Sequence, residues 1–310
     1  MTQSVRAPTS DEFEDVLALV QAADVAAIGE TDWTRDALRD EWQELDLHRD
    51  AWVIELDGRI GAYATFEDRG AGRLVADGYV HPELRERGLG SKLLDVTEQR
   101  AQSAVAAERD DLRVYLQNAT LVADDCTPNL YAPRGYEPTR YQFRMLAELD
   151  APPSVTTVPG VEIRLYREPD ERAAVYSVLQ DSFATGPYFH RSPYEEFERR
   201  VFGRRGFDAS LLWVATEAGE IVAVNVCGWK QYGDWGWVGS LGVLPGRRGR
   251  GIGEALLRTA LAEFWRRGER RIALGVDADN PHATRLYERA GMRVFYKVVI
   301  YEKELKPATG

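Results

Sequence analysis

Cysteine is scarce in this 310-residue chain: only Cys126 and Cys227 are present, with no CxxC pair and no Cys/His cluster. That spacing excludes a disulfide framework and offers neither a zinc motif nor a dithiol redox pair. No metal is expected, and both thiols are expected to be buried. Long apolar runs are also missing, and no window approaches the ~18 residues that a membrane span requires. The opening Met1-Thr2-Gln3-Ser4 lacks the basic-then-apolar order of a secretion signal. A cytoplasmic location without membrane association is therefore expected. Nor is there an excess of basic residues, since the formal net charge is −11. Nucleic-acid binding needs many phosphate-neutralising cations on one face, so no nucleic-acid partner is expected.

What is present fits a folded, ordinary globular protein: 44% hydrophobic and 29% charged residues. Its length suggests two domains. The charge is divided unevenly, with residues 1–150 holding 16 Lys+Arg against 30 Asp+Glu, and 151–310 holding 23 against 20. A polyanionic ligand would prefer the second half.

Sliding the chain along itself exposes a repeat. Val80-His81-Pro82-Glu83-Leu84-Arg85-Glu86-Arg87-Gly88-Leu89-Gly90 aligns without a gap to Val243-Leu244-Pro245-Gly246-Arg247-Arg248-Gly249-Arg250-Gly251-Ile252-Gly253. Val5-Arg6 answers Ile163-Arg164, and Leu130-Tyr131 with Gly135 answers Leu286-Tyr287 with Gly291. Between the copies, the Pro-rich stretch Asp150 to Gly160 reads as an extended linker. The expected domains are 1–150 and 161–310, joined by 151–160.

Periodicity places a helix over 173–183 and strands over 211–216 and 221–228, matched in the first copy by strands over 51–56 and 60–66. In the second copy there follow a strand over 235–243, a helix over 254–267, a strand over 271–276, a helix over 281–290 and a strand over 294–302. This order predicts an α+β fold: two tandem units, each a mixed, mostly antiparallel sheet flanked by helices.

The order strand, Gly-rich loop, helix start makes an anion site, because first-turn amides lack internal partners and the helix dipole is positive there. Arg247, Arg248 and Arg250 add guanidinium groups that match phosphate oxygens. In the first copy, Arg85 and Arg87 alternate with Glu83 and Glu86. A Gly-rich turn that merely ends a strand is the alternative. The dinucleotide spacing GxGxxG and the P-loop GxxxxGK[ST] are both absent.

R-x-x-G-x-G, present as Arg248 to Gly253 and as Arg85 to Gly90, resembles the coenzyme A pyrophosphate motif of the GNAT acetyltransferase superfamily. N-x-x-A-x-x-L-Y-x-x-x-G, intact from Asn280 to Gly291, resembles a second motif of that superfamily. The first copy keeps only its end, with Asp124 and Thr127 at the Asn and Ala positions. The resemblance spans nearly the whole chain twice and implies acetyl-CoA as acyl donor, with the second unit catalytic and the first degenerate or structural.

It further implies that strands splayed by a bulge near Gly242 admit the cofactor. Leu241, Gly242, Val243, Arg248, Gly249, Arg250, Gly251, Ile252, Gly253, Asn280 and Tyr287 would line its path. Val80, Arg85, Arg87, Gly88, Leu89 and Gly90 are the weaker first-unit set.

Tyr287 falls where the superfamily places its general acid, and a core tyrosine is the alternative reading; Tyr131 is its first-unit equivalent. A base is not declared by the sequence: Asp234, Asp277 and Asp279 could equally be turn and cap residues, and His190 and His282 are undecided. Trp229, Trp235 and Trp237, with Tyr188-Phe189-His190, could line an acceptor pocket or pack a core.

The implied reaction transfers an acetyl group to a primary amine of a small molecule by direct attack in a ternary complex, by a monomer or homodimer. The tandem layout, Gly160 to Arg164 and Trp229-Lys230 also resemble the mycothiol synthase group, which implies a cysteinyl-glucosaminyl-inositol acceptor, although that group's fourth-strand acid falls at Trp237. The non-enzymatic alternative is an acyl-CoA-binding sensor or scaffold.

Overall fold

The computed structural model describes residues 3–31, 33–106, 111–124, 126–186, 189–204, 206–232 and 235–308, without the side chains of 229–232. The chain divides into two compact units, Met1–Gln142 with Tyr296–Gly310, and Phe143–Phe295.

The first half runs β1 (Gln3–Arg6), α1 (Phe13–Ile28), α2 (Arg35–Glu44), α3 (Leu47–Asp50), β2 (Ala51–Leu56), β3 (Arg59–Asp68), β4 (Arg73–Val80), α4 (Leu89–Val105), β5 (Val114–Leu121), α5 (Thr127–Tyr131) and β6 (Glu137–Glu148). The second runs β7 (Glu162–Leu165), α6 (Arg172–Phe183), α7 (Tyr194–Val201), β8 (Leu212–Glu217), β9 (Glu220–Tyr232), β10 (Trp235–Val243), α8 (Ile252–Arg266), β11 (Arg271–Asp277), α9 (Pro281–Arg289) and β12 (Arg293–Lys306). None of the described helices is long and apolar enough to cross a membrane.

Local chemistry sets the boundaries. Thr34 Oγ1 accepts from Ala37 N at 3.1 Å and starts α2; Asn280 Oδ1 accepts from Ala283 N at 3.1 Å and starts α9. The Asp57-Gly58 and Ala218-Gly219 turns close the β2–β3 and β8–β9 hairpins. In each unit the first strand is tied to the next segment by a bidentate ion pair. Arg6 reaches both oxygens of Glu12 at 2.8 and 2.5 Å, and Arg164 both oxygens of Glu171 at 2.9 and 2.6 Å.

Strands in the first unit follow the order β1-β2-β3-β4-β5-β12, antiparallel apart from the parallel β4/β5 pair. The second unit has β7-β8-β9-β10-β11-β6, with β10/β11 parallel. Helix α4 covers one face of the first sheet, and α1 and α2 the other. In the second unit α8 and α9 cover one face, and α6 and α7 the other. Helix α8 alone buries Ile252, Leu256, Leu257, Leu261 and Phe264, each 1% exposed or less. At ~1.5–3 kcal/mol per buried side chain, that stripe anchors the loop in front of it.

Unit boundaries differ from those expected. Residues 296–310 belong to the first unit, where Val299 and Tyr301 pack with Leu116 and Tyr131. Residues 143–149 enter the second, where Met145 and Ala147 pack with Ile272 and Leu274. The last strand of each half thus completes the sheet of the other. A repeat records where sequence recurs, whereas pairing is decided by which sheet edge a strand's apolar residues fit. Cys126 also departs from expectation: it is exposed, because it starts the short α5 at the surface, while Cys227 is buried and its thiol is pushed up to about 12 by that burial.

Candidate active site

Strand β10 pairs with β11 only at Gly236–Ile272, Trp237–Ala273 and Val238–Leu274. Beyond that point both strands continue, β10 to Val243 and β11 to Asp277, without pairing to each other. The β9–β10 register slips between Val238 and Ser240. The bulge therefore lies at Gly239, three residues before the expected position at Gly242, and it bends β10 away from β11. Leu244 N donates to Val222 O at 3.0 Å. Since strand amides alternate in direction, the N–H groups of Leu241 and Val243 face the opening.

Gly242 has a different task. A Cβ there would lie 2.9 Å from Ser182 Cβ and 3.1 Å from Leu179 Cδ2. Its lack of a side chain lets α6 seat against the end of β10.

The strand leads into a tight turn at Pro245–Arg247 and then α8, with Gly249 at φ +76° and Gly251 at φ +82°. No side chain caps α8, so its first amides point out at the loop. Arg248 is committed to the protein: its Nε donates to Val243 O at 3.1 Å, and its Nη2 donates to Ser182 O. Arg247 and Arg250 share one carboxylate, that of Glu217 at the end of β8, with Arg250 at 2.8 Å. The Arg250 bond holds the Glu217 carboxyl below its usual range. Glu217 carries no motif and falls between the strands expected over 211–216 and 221–228. Gly253 is buried where a Cβ would meet Leu286 Cδ1 at 3.0 Å, which lets α8 and α9 close up.

Tyr287 projects from α9 into the core, packed with Val238, Leu257 and Leu274, and is 9% exposed. Its hydroxyl makes no hydrogen bond among the described residues, and burial pushes it up to about 12. It is protonated at neutral pH. Asn280 is occupied as the α9 cap. Trp235 is buried and Trp237 lies beneath Arg144, 4.5 Å from ring centre to guanidinium carbon. His190 and His282 are exposed, and Asn280 N donates to Asp277 O at 3.0 Å. Tyr188, Asp234 and the side chains of Trp229 and Lys230 lie outside the described residues.

The first unit repeats the loop geometry, with Glu86 at φ +61° and Gly88 at φ +79° leading into α4. A non-glycine residue in the left-handed region costs ~1–2 kcal/mol, so this turn is held at some expense. Arg85 and Arg87 make no ion pair among the described residues, and Leu89 is buried. Gly90 allows Leu130 to approach, as Gly253 does Leu286. Strand β4 leaves β5 after Ala76–Asn118, but its pairing with β3 runs unbroken to Val80, with no bulge. Tyr131 packs 4.9 Å from both Tyr136 and Tyr301, and burial raises its hydroxyl further than that of Tyr287. Asp124 takes the Asn position as a local cap, accepting from Thr127 Oγ1 at 2.8 Å.

Residues 172–292 match the acetyltransferase (GNAT) family and residues 48–138 an acetyltransferase (GNAT) domain. A mycothiol acetyltransferase of Geodermatophilus obscurus is 30% identical, over 89% of each chain. That of Mycolicibacterium paratuberculosis is 30% identical over 92% of each. The crystal structure of a GCN5-related N-acetyltransferase from Sphaerobacter thermophilus superimposes with a TM-score of 0.90 at 30% identity, covering 99% of this chain and 97% of the other. A tandem GNAT protein from the clavulanic acid biosynthesis pathway shares the fold, with a TM-score of 0.73 at 16% identity over 99% and 100% of the two chains.

Proposed function

We propose, from the premise that this chain belongs to the acetyltransferase (GNAT) family, that its second unit takes acetyl-CoA as donor and acetylates a primary amine of a small molecule. The observation that carries this reading is the opening between β10 and β11, which ends at the uncapped start of α8. A pantetheine arm carries amides that can pair with an exposed strand edge, as an added strand would. Its diphosphate then falls at Gly249–Gly253, beside Arg247 and Arg250.

The amine must arrive neutral, because an alkylammonium of pKa ~10 has no lone pair to offer. Its nitrogen attacks the thioester carbonyl, and the oxyanion is stabilised by an N–H facing the opening, that of Leu241 or Val243. Collapse breaks the C–S bond, releases the coenzyme A thiolate and leaves an amide once the nitrogen proton departs.

Tyr287 serves the leaving sulfur. With its hydroxyl at about 12 and a thiol near ~8.5, complete proton transfer would be uphill by roughly 4–5 kcal/mol. Its O–H therefore acts chiefly as a hydrogen-bond donor to the developing thiolate. The final proton on sulfur comes from the amine.

The relatives favour a particular acceptor, the cysteinyl amine of a cysteinyl-glucosaminyl-inositol. Trp237 stands where the mycothiol synthase group carries an acid, so the proton must leave without a carboxylate at that position. The test incubates the chain with acetyl-CoA and this acceptor, following free thiol and the mass of the product. Acetylated product at the amine supports the reading. Saturable acetyl-CoA binding without thioester consumption, with this and simpler amines, would overturn it.

A further inference from the structure

The two glycine-rich turns differ in what answers their arginines. In the second unit each oxygen of the Glu217 carboxylate takes one guanidinium: Oε2 pairs with Arg247 Nε, and Oε1 with Arg250 Nη2 at 2.8 Å. Glu217 ends β8 and pairs across the hairpin with Glu220. The same place in the β2–β3 hairpin, opposite Arg59, is Leu56, which is buried. The first-unit turn nevertheless adopts the same shape, with left-handed backbone at Glu86 and Gly88 as at Gly249 and Gly251, and α4 begins without a side-chain cap as α8 does. The shape of the turn therefore does not require the carboxylate.

Glu217 is fixed beside these arginines. Next to it the chain reverses through the tight Ala218-Gly219 turn, with φ of +51° and +88°. Behind it, Ala215, Val222 and Ala223 pack against Ile252 and Leu256 at the start of α8, and all five are 4% exposed or less. Hairpin and helix thus hold the carboxylate at a set place next to the turn. Of the three side chains Glu217 is the least exposed, at 23% against 45% for Arg247 and 39% for Arg250. The arginines are therefore the partners free to swing from one anion to another.

A diphosphate on this turn needs the same two guanidinium groups, because Arg248 is already bound to Val243 O and Ser182 O. Ligand and Glu217 then compete for them, and a tethered competitor acts at an effective concentration that dilution does not lower. The geometry points to Glu217 as the residue that speeds release of coenzyme A: it acts through Arg247 and Arg250, and takes them back when the diphosphate loosens. This inference rests on the reading that the second unit holds the coenzyme. Release is stepwise. As the diphosphate lifts from one guanidinium, the carboxylate pairs with it again, recapture is blocked, and the remaining contacts along the opening give way. The first-unit turn, with Leu56 in that place, lacks this device.

The test follows dissociation. Coenzyme A carrying a fluorophore on its thiol is bound to the full chain and chased with excess unlabelled coenzyme A in a stopped-flow instrument, for wild type, Glu217→Gln and Glu217→Leu. Both variants should release the label about two- to tenfold more slowly than wild type, the range for one or two exposed ion pairs, and high salt should narrow the difference. Product inhibition by coenzyme A should strengthen in the same variants. Faster release would make Glu217 an organiser of the turn. Release at the wild-type rate, with or without quicker association, would make it a repulsive charge and no more. Either result overturns the inference while leaving the coenzyme site standing. No binding to wild type would overturn the site itself, and the inference with it. Melting temperature checks each variant; if one unfolds, the other decides.

Discussion

Gly242→Ala tests how the end of β10 is locked to α6. The new Cβ would stand 2.9 Å from Ser182 Cβ and 3.1 Å from Leu179 Cδ2. Carbon atoms settle at ~3.5–4.0 Å, so about 0.6 Å or more must be recovered. Leu179 can rotate, but the Ser182 Cβ is fixed to its backbone, so the helix itself must retreat. Overpacking of this kind costs ~1–3 kcal/mol. For a unit of this size that lowers the melting temperature by about 2–12 °C. The retreat also carries away the Ser182 carbonyl that holds Arg248, so acetyl-CoA should bind more weakly. Calorimetric melting and titration of acetyl-CoA measure both effects, with Gly246→Ala as control because nothing lies within 4 Å of a Cβ there. A Gly242→Ala protein that melts and binds like Gly246→Ala would refute the reasoning.

Other consequences can be measured separately. Tyr287→Phe should reduce kcat by about 10²-fold or more through loss of the hydrogen bond its hydroxyl donates to the leaving sulfur. With that group at about 12, wild-type kcat should show no decline due to it below pH ~11; a decline near pH 9 that the variant abolishes would contradict the assignment. Glu217→Gln frees Arg247 and Arg250 from their shared carboxylate and should tighten acetyl-CoA binding about two- to tenfold, less so in high salt. Weaker binding would show that Glu217 organises the loop rather than competing for it.

Arg6 holds Glu12 down to about 2, against an ordinary 4.5. Stability from this pair is present above the ordinary value and is lost as pH falls toward 2. After solvent screening it amounts to about 1–2 kcal/mol. Urea unfolding of Glu12→Gln should show that deficit at pH 7 and little of it at pH 2; an equal deficit at both would exclude an ionic origin.

Much of the second unit could be read from the chain. Strand β10 and the loop through Gly253 carry local signals: apolar alternation, then glycines and arginines at fixed spacing. The strand exchange could not be read, because Tyr296 to Lys306 looks like the same terminal strand whichever sheet receives it. Gly242 drew attention as the bulge, yet only the packing of Ser182 against it and the register slip at Gly239 separate the two roles. Arg248 fits a phosphate motif, while its bonds to Ser182 O and Val243 O depend on how α6 and the end of β10 are placed; Asn280 fits a cofactor motif, yet an Asn before a helix serves equally as its local cap. Glu41 and Tyr63 come from different elements and form no sequence motif; their hydrogen bond forms only when α2 closes over β3.

The central claim is that acetyl-CoA binds along the opening of the second unit and on the turn before α8. Isothermal titration of acetyl-CoA into the full chain tests it most directly, with Gly251→Ala and Gly88→Ala compared with wild type. Gly251 and Gly88 have φ of +82° and +79° with open space around them, so each alanine distorts one loop at a cost of ~1–2 kcal/mol. The account predicts a site weakened about tenfold by Gly251→Ala and left intact by Gly88→Ala. Binding that ignores Gly251→Ala, or no binding in the wild type, would contradict it.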